Sequence, residues 1–503
     1  MAIRANYNPD VLTCLANLSS DEVFTPPQLV NRVLDLLPKE IWTDKSARFL
    51  DPACKSGAFL REIARRLGVG LERTIPDRQK RFNHIFKDQL FGIGMTELTA
   101  LLSRRSLYCS KTANGEYSVC EAFDDAQGNI SFERVKHKWE DGRCSFCGAS
   151  QEGYDRGDDL ETHAYPFIHV QEPQEVLEMR FDVIVGNPPY QLSDGGFGIS
   201  ATPIYQLFVQ QAKKLNPRFL TMIIPARWYS GGKGLDKFRK EMVSDDRVRE
   251  IHDFPDASNI FPGVQIKGGV CYFLWRRDER GLCKVTNDIS ISGISVQERP
   301  LLEEGADVFI RYNAAISILK KVQRHKEHPI MEQISSRRPF GLSTTFKGAQ
   351  KPFRDAVVLY ENGGIGYVKR SVLQANLEWV DKYKVLIPRA GSGSDSFPHP
   401  ILGRPFVVEP NTACTETYIV AGAFENRKDA EQLAAYIRTR FFRFMVLLAK
   451  STQDATSKVY RFVPRQESCD YWTDEMLYRK YGLTKDEIAF IESMIRPMEA
   501  NDE

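Results

Sequence analysis

The fold class follows most clearly from nine consecutive residues, Asp182-Val183-Ile184-Val185-Gly186-Asn187-Pro188-Pro189-Tyr190. The apolar, β-branched first half of this stretch predicts a buried strand, which ends in an amide, two prolines and an aromatic ring. Two consecutive prolines fix φ and remove two N–H donors, so the loop is stiff and its carbonyls can accept hydrogen bonds. Asn187 and the Pro188 carbonyl could hold both hydrogens of an exocyclic amine, while Tyr190 offers a flat face to a planar base. A structural turn is the alternative interpretation.

Further apolar runs alternate with helical patterns on both sides of this stretch. Strands are predicted at residues 48–50, 90–93, 181–185, 219–224 and 269–275, and helices at 57–67 and 428–450. Apolar strands separated by helices are typical of a mostly parallel sheet that is covered on both faces. Because this alternation ends near residue 285, we expect an α/β domain over residues 1–285 and an α+β domain over residues 286–503.

A second loop, Asp51-Pro52-Ala53-Cys54-Lys55-Ser56-Gly57, lies where a predicted strand meets a predicted helix. Small residues let the backbone approach a ligand closely, and the helix N-terminus supplies N–H groups and a positive dipole end. An acidic residue at the strand end repels phosphate but accepts hydrogen bonds from a ribose or an amino group. The loop therefore favours a nucleoside cofactor over a dinucleotide, and a tight turn without a ligand is the alternative.

These two loops resemble motifs I and IV of the S-adenosylmethionine-dependent amino-methyltransferases. Phe24-Thr25-Pro26-Pro27 resembles their motif X, and the motif order is similar to that of the gamma-class DNA adenine-N6 methyltransferases of restriction–modification systems. The resemblance covers about residues 15–280, and the C-terminal half resembles their recognition regions only loosely. Two positions depart from the family pattern. Lys55 stands where glycine is usual, and Gly94 stands where a ribose-binding acid is expected, with Glu97 one turn later.

The resemblance implies a Rossmann-like methyltransferase domain that transfers a methyl group to N6 of a flipped-out adenine in double-stranded DNA. The catalytic residues that it implies are Asn187, Pro188, Pro189 and Tyr190. The residues that it implies for binding S-adenosylmethionine are Phe24, Thr25, Pro26, Asp51, Pro52, Ala53, Gly57, Glu97 and Asn187. Tyr190 and Phe261 would stack on the flipped base, and for Phe261 a place in the core is the alternative.

Four of the ten cysteines lie in a polar segment, residues 103–165, that we interpret as an insertion. Cys144-Ser145-Phe146-Cys147-Gly148 is a CxxC knuckle, and Cys109 and Cys120 lie upstream of it. Four thiolates could close a tetrahedral structural zinc site, with His137 and His163 as alternative ligands. Free thiols or a redox pair are the alternatives to metal binding.

Charge is unevenly distributed, although the net charge of the 503-residue chain is only +2. Residues 311–468 contain 25 lysines and arginines against 14 acidic residues, whereas residues 469–503 contain 4 against 9. A basic body predicts a polyanion partner, here double-stranded DNA, and chance clustering of solvated charges is the alternative. The DNA-binding candidates in this predicted target-recognition domain are Arg338, Lys347, Arg440, Arg443 and Lys458.

Composition and motif content limit the remaining possibilities. The sequence has no apolar run of 18 residues and no secretory leader, which predicts a cytoplasmic protein without a membrane partner. No nuclease constellation stands out, so DNA cleavage is assigned to a separate restriction endonuclease. Two other functions remain open. One is a DNA-binding specificity subunit with a decayed cofactor site, and the other is methylation of cytosine N4, an RNA base or a glutamine amide.

Overall fold

The computed structural model describes residues 24–155, 162–171, 179–192, 202–262, 264, 266–289, 293–390, 397–450, 455–467 and 471–498. The chain divides into two compact units. The first runs to Thr286 and includes Val296–Leu301, and the second contains Asn287–Ser295 and the chain from Leu302 onward. Among the helices of these ranges, none combines the length and hydrophobicity that a membrane crossing requires.

The strands of the described residues are β1 (Phe49–Cys54), β2 (Leu90–Gly94), β3 (Ile130–Ser131), β4 (Trp139–Glu140), β5 (Arg143–Cys144), β6 (Val183–Gly186), β7 (Gln191–Leu192), β8 (Thr202–Pro203), β9 (Phe219–Pro225), β10 (Val248–Phe254), β11 (Val270–Arg276), β12 (Cys283–Ile289), β13 (Gly293–Arg299), β14 (Ala356–Glu361), β15 (Gly364–Lys369), β16 (Tyr383–Pro388), β17 (Phe406–Val408), β18 (Thr412–Cys414) and β19 (Tyr418–Phe424). The α-helices are α1 (Pro27–Leu34), α2 (Ala58–Gly70), α3 (Arg78–His84), α4 (Glu97–Tyr108), α5 (Gln151–Tyr154), α6 (Tyr205–Lys214), α7 (Asp236–Ser244), α8 (Asn313–Gln323), α9 (Arg427–Arg438), α10 (Arg440–Leu447), α11 (Asp474–Lys480) and α12 (Lys485–Met494).

The first unit is built on a sheet whose strand order among the described residues is β13-β12-β10-β11-β9-β6-β1-β2-β3. Strands β9, β6, β1, β2 and β3 are parallel to one another. Strand β11 is antiparallel to both β9 and β10. The predicted mixed α/β fold with a mostly parallel sheet is therefore confirmed, and the strand predicted at 269–275 belongs to an antiparallel flank.

The order of the sheet reverses between β1 and β6. From β1 the chain continues outward through β2 and β3 on one side, whereas β6 and β9 extend the sheet on the other. Asp182 fixes the register of this central pair through two hydrogen bonds. The Asp182 N–H donates to the Arg48 carbonyl at 2.9 Å, and the Arg48 N–H donates to the Asp182 carboxylate at 3.0 Å. In open α/β sheets ligands bind beyond the carboxyl ends of the strands at such a switch point.

Helix α2 shows how the strand-to-helix alternation buries the core of the first unit. Leu60, Ile63, Ala64 and Leu67 recur at intervals of three and four residues, and all four are buried. This spacing places them on one helix face, which contacts the same core as Phe49 of β1. Because β1 and α2 are both packed into this core, they fix the two ends of the intervening loop, residues 55–57.

The second unit contains two three-stranded sheets, β15-β14-β18 and β17-β16-β19, together with helices α8 to α12. The single helix predicted at 428–450 is wrong, because the chain forms α9 and α10 with a break at Thr439. Thr439 has an extended backbone with ψ 149°, and its hydroxyl accepts a hydrogen bond of 3.1 Å from the Phe442 N–H. Such an N-cap starts a new helix, so that α9 and α10 are two separate helices.

Candidate active site

Asn187 stands at the carboxyl end of β6, and its side chain joins two loops that are distant in sequence. Its Nδ2 donates a hydrogen bond of 3.1 Å to the Thr25 hydroxyl. Thr25 lies between the half-buried Phe24 and Pro26, directly before α1. Asn187 is only 3% exposed. Since the amide nitrogen is anchored on Thr25, the direction in which the amide oxygen faces is fixed as well.

The side chain of Asp51, within β1, lies against Gly186, the last residue of β6. A Cβ on residue 186 would lie 2.9 Å from the Asp51 Oδ1, so only glycine fits against this carboxyl group. The Ala53 N–H donates a hydrogen bond of 3.0 Å to the same oxygen. Burial raises the pKa of Asp51 to about 6, and the Ala53 N–H and the charge of Lys55 oppose that rise. The site therefore holds a carboxyl group that titrates near neutral pH.

The segment that follows Asp51, from Pro52 to Gly57, is packed closely against neighbouring residues. Pro52, Ala53 and Lys55 are buried, and Gly57 is the N-cap of α2 with φ 72°. The Ser103 hydroxyl of α4 donates a hydrogen bond of 3.2 Å to the Lys55 carbonyl. The lysine that replaces the usual glycine is thus enclosed near Asp51 rather than directed into solvent.

Close packing explains why no acidic residue follows β2. A Cβ on residue 94 would lie 2.6 Å from the Ala100 Cβ of α4, so a larger side chain would displace that helix. Glu97 is exposed in the first turn of α4. It is an acidic residue near the predicted ribose position, but it lies on the helix and not at the strand end.

Tyr190 ends the proline-stiffened loop. Pro188 and Pro189 are buried, and the half-buried Tyr190 packs against the core of the first unit. Burial raises the pKa of Tyr190, so its hydroxyl stays protonated at neutral pH. The Tyr190 carbonyl accepts a hydrogen bond of 3.2 Å from the Ile204 N–H, immediately before α6. The loop is therefore fixed on both sides, by Thr25 and by the start of α6.

The sequence itself matches known proteins. A family model described as Eco57I restriction-modification methylase matches residues 88–261. A protein of Mycoplasma pneumoniae, described as an uncharacterized adenine-specific methylase, is 36% identical over 315 residues, which cover 57% of this chain and 75% of the relative. The chain belongs to the adenine-specific restriction–modification methylases.

Solved structures of restriction–modification enzymes are also similar to the methylase. One is a nuclease-deletion mutant of the Type ISP enzyme LlaGI in complex with a DNA substrate mimic, with 12% identity, a TM-score of 0.48 and coverage of 92% of this chain and 47% of that chain. Another is the Type IIL enzyme MmeI in complex with DNA, with 12% identity, a TM-score of 0.46 and coverage of 90% and 64%. The methylase thus spans between about half and two thirds of these two solved chains.

Phe261 has a different place in the methylase from the one predicted for base stacking. It is only 2% exposed and belongs to the same hydrophobic core as Phe254 and Tyr272. Because its ring is enclosed by other side chains, it presents no face to a flipped base. The prediction of a stacking role for Phe261 is wrong, and the core alternative is correct.

The insertion of the methylase brings together two cysteines and two histidines. One ligand atom from each of His137, Cys144, Cys147 and His169 lies within 4.8 Å of those of the other three. The predicted ligands Cys109 and Cys120 are not in this cluster. Cys109 is exposed and ends α4, and Cys120 is buried in the core of the sheet. Their assignment as metal ligands is wrong, because the end of α4 holds Cys109 and the hydrophobic core holds Cys120 outside this cluster.

His169 was missed as a ligand because nothing local marks it. It lies 22 positions after Cys147, beyond the spacing of common zinc motifs, and it follows a short 3-10 helix, Pro166–Ile168. His137, which the sequence offered as an alternative ligand, does belong to the cluster, whereas the other alternative, His163, does not. The CxxC knuckle was the part of the site with the clearest sequence signal.

The five DNA-binding candidates occupy different environments in the second unit. Arg338 and Lys347 are exposed and pair with Glu416 and Glu361, at 2.8 and 3.6 Å, and Lys458 is exposed on a 3-10 helix. Arg440 is half-buried and pairs with Glu492 at 2.6 Å. Arg338, Lys347 and Lys458 therefore lie where a polyanion could reach them.

Arg443 contradicts its predicted role in DNA binding. Its side chain is fully buried and donates hydrogen bonds of 2.7 to 3.3 Å to the backbone carbonyls of Arg438, Thr439, Pro400 and Arg496. Burial lowers the pKa of Arg443 to about 10, so the group stays charged at neutral pH. Arg443 is a structural residue that satisfies carbonyl groups at the ends of several segments.

Proposed function

We propose that the chain transfers a methyl group from S-adenosylmethionine to N6 of a flipped-out adenine in double-stranded DNA, as the modification part of a restriction–modification system. Membership of the adenine-specific methylases supports the choice of adenine. The observation that carries the proposal is the hydrogen bond between Asn187 and Thr25, which joins two of the three motif loops at the switch point of the sheet.

The residues at this edge fit the donor. S-adenosylmethionine supplies an electrophilic methyl group on a positively charged sulfur. The ionised Asp51 supplies a negative charge that offsets the positive charge of the donor and of Lys55, and the glycine at 186 lets this carboxyl group lie against the end of β6. Thr25, together with Phe24 and Pro26, lines the side of the loop nearest to Asn187. Pro52, Ala53, Gly57 and Glu97 complete the proposed cofactor-binding set.

The catalytic work in this proposal is done by positioning and by hydrogen-bond acceptors. The Asn187 Oδ1 and the Pro188 carbonyl accept the two hydrogens of the adenine amine and stabilise the positive charge that develops on N6. Pro189 keeps the loop rigid, and Tyr190 stacks on the base. Because these groups are held before the substrate arrives, little reorganisation is needed during the reaction.

We assign target recognition to the second unit, with Arg338, Lys347 and Lys458 as contacts to phosphate groups. Their exposure and positive charge suit the DNA backbone, while base-specific contacts are left to other residues. Arg440 is retained as a weaker candidate because it is half-buried as well as paired with Glu492. Cleavage of unmodified DNA is assigned to a separate restriction endonuclease. We also propose a zinc ion in the insertion, with a structural role.

A donor-binding measurement, followed by a panel of methyl acceptors, tests the proposal. Isothermal titration of the full chain with S-adenosylmethionine separates an active enzyme from a specificity subunit with a decayed cofactor site, which would bind no donor. Labelled donor is then offered with double-stranded DNA, with RNA and with total protein. We expect transfer to DNA only. Label in RNA or in a glutamine amide would overturn the substrate assignment while leaving the donor site intact.

A further inference from the structure

We infer that the methylase binds one zinc ion through His137, Cys144, Cys147 and His169, and that this ion fastens the insertion to the segment that supports α6. In tetrahedral zinc sites with sulfur and nitrogen ligands, neighbouring ligand atoms lie about 3.3 to 3.8 Å apart, as follows from the usual zinc–ligand distances. The Cys147 Sγ lies 3.5 Å from the His137 Nδ1, and the Cys144 Sγ lies 3.6 Å from the His169 Nε2. These two pairs already have the spacing of such a site, and no two of the four ligand atoms are more than 4.8 Å apart.

The outer nitrogens of both histidines are held by backbone carbonyls. The His137 Nε2 lies 2.7 Å from the Thr162 carbonyl, and the His169 Nδ1 lies 2.8 Å from the Tyr165 carbonyl. A carbonyl can only accept, so each of these nitrogens carries the proton. The nitrogens that face the cysteines, His137 Nδ1 and His169 Nε2, therefore present lone pairs. This arrangement of an outer hydrogen bond and an inward lone pair is typical of zinc-binding histidines.

Charge and burial agree with a closed, structural site. Cys144, Cys147 and His137 are buried, and His169 is half-buried. Binding releases one proton from each thiol, and the two thiolates then neutralise the charge of Zn²⁺, so that no net charge is buried. Four protein ligands fill a tetrahedron and leave no position for a substrate or a water molecule, which excludes a catalytic role for the ion.

The ligands come from two segments that are separated in the chain. His137, Cys144 and Cys147 surround the short hairpin β4–β5, whereas His169 ends the 3-10 helix Pro166–Ile168. This 3-10 helix packs on α6, where the rings of Phe167 and Phe208 stack at 5.9 Å. The Gln211 side chain of α6 donates a hydrogen bond of 2.8 Å to the Val170 carbonyl. Zinc at this site would therefore fix the surface on which α6 rests.

Helix α6 in turn holds the loop that ends at Tyr190. The Ile204 N–H, just before α6, donates to the Tyr190 carbonyl, and β7 pairs with β8 next to it. Loss of zinc should thus loosen Tyr190 without removing any group that would contact substrate. This consequence for catalysis rests on the proposed methyl transfer, whereas the metal site itself does not.

Metal analysis of the full chain, purified without chelators, tests the site independently of activity. We expect one zinc ion per chain, and its loss in Cys144→Ser and in His169→Ala. The matched controls are Cys109→Ser and His163→Ala, which change the same residue types outside the cluster and should keep the zinc. Substitution of cobalt for zinc in the wild-type protein should give the absorption of a tetrahedral site with thiolate ligands.

A chelator experiment on the wild-type chain covers the case in which the ligand variants do not fold. Removal of zinc should lower the melting temperature and open residues 137–170 to protease, and added zinc should reverse both effects. With DNA as substrate, kcat should fall about tenfold while the affinity for S-adenosylmethionine is kept. A folded, zinc-free wild-type protein whose Cys144 and Cys147 react with a thiol reagent as fast as Cys109 would overturn the inference. Equal loss of zinc in His163→Ala and His169→Ala would overturn the ligand assignment.

Discussion

The Asn187 amide nitrogen and the Thr25 hydroxyl are 3.1 Å apart, although 162 positions separate the two residues in the chain. This hydrogen bond sets the orientation of the amide at the end of β6, and with it the direction of the oxygen that we propose as the acceptor for the adenine amine. Thr25 thus acts through Asn187, as a positioning residue for the transfer.

Thr25→Val should lower kcat about tenfold, which corresponds to the loss of about 1.4 kcal/mol, the order of one hydrogen bond. Valine keeps the shape of the side chain but cannot accept a hydrogen bond from the amide. The measurement is steady-state methylation of DNA with saturating S-adenosylmethionine. Thr25→Ser retains the hydroxyl and should restore most of the activity. If Thr25→Val and Thr25→Ser were equally active, the positioning role would be refuted.

The affinity for S-adenosylmethionine should increase as the pH rises from 5 to 7. Burial raises the pKa of Asp51 to about 6, so the carboxyl group becomes charged within this range, and its negative charge attracts the cationic donor. Titration calorimetry at several pH values measures the change. In Asp51→Asn the affinity should be lower at pH 7 and independent of pH. A pH dependence that survived in Asp51→Asn would show that another group is responsible.

Stability of the protein without donor should have the opposite pH dependence. Because the pKa of Asp51 is higher in the folded than in the unfolded chain, its contribution is fully present below about pH 4 and is lost as the pH rises through about 6. The loss amounts to about 3 kcal/mol of unfolding free energy, since a tenfold change in proton affinity corresponds to about 1.4 kcal/mol. The difference in melting temperature between wild type and Asp51→Asn, followed from pH 4 to 7, isolates this contribution from that of other carboxyl groups.

Gly186→Ala should destabilise the first unit by about 1 to 3 kcal/mol and weaken donor binding. The new methyl group would lie 2.9 Å from the Asp51 Oδ1 and would displace that carboxyl group. Gly68→Ala in α2 is the matched control, since its Cβ would meet Phe82 at 3.5 Å, an ordinary contact. Helical glycine-to-alanine changes stabilise by about 0.5 to 1 kcal/mol, so the two variants should shift the melting temperature in opposite directions. A neutral Gly186→Ala would contradict the close contact.

Arg443→Met and Lys458→Ala should separate stability from DNA binding. Arg443→Met leaves buried carbonyl groups without donors and should cost at least about 2 kcal/mol of unfolding free energy. Lys458→Ala should leave stability within about 0.5 kcal/mol of wild type and reduce the salt dependence of DNA affinity by about one unit of slope. Chemical denaturation and binding at several salt concentrations provide the two readouts. An unchanged salt slope in Lys458→Ala would remove that residue from the DNA interface.

The core strands of the first unit were predictable because their signal is local. Continuous apolar runs marked β1, β2, β6, β9 and β11 to within a few residues of their observed bounds. Their direction was less visible, since parallel and antiparallel neighbours bury the same kinds of side chains. The break between α9 and α10 was missed because Thr439 interrupts an otherwise helical pattern through a single capping hydrogen bond.

Long-range contacts limited what the sequence could say about individual sites. The CxxC pair is a local motif, but His169 reaches it only through the folding of a distant segment. Arg443 lies among phenylalanines in a basic stretch, which suggested a surface, whereas the backbone carbonyls that satisfy it come from four different positions. Phe261 had two interpretations of equal merit, and packing decided between them.

Methyl transfer to adenine N6 is tested most directly by nucleoside mass spectrometry of double-stranded DNA incubated with the full chain and methyl-labelled S-adenosylmethionine, with Asn187→Ala in parallel. We expect labelled N6-methyladenine from the wild type and a loss of at least about a hundredfold in Asn187→Ala, with donor affinity kept within a few fold. Labelled N4-methylcytosine, or N6-methyladenine formed equally well by Asn187→Ala, would contradict this expectation.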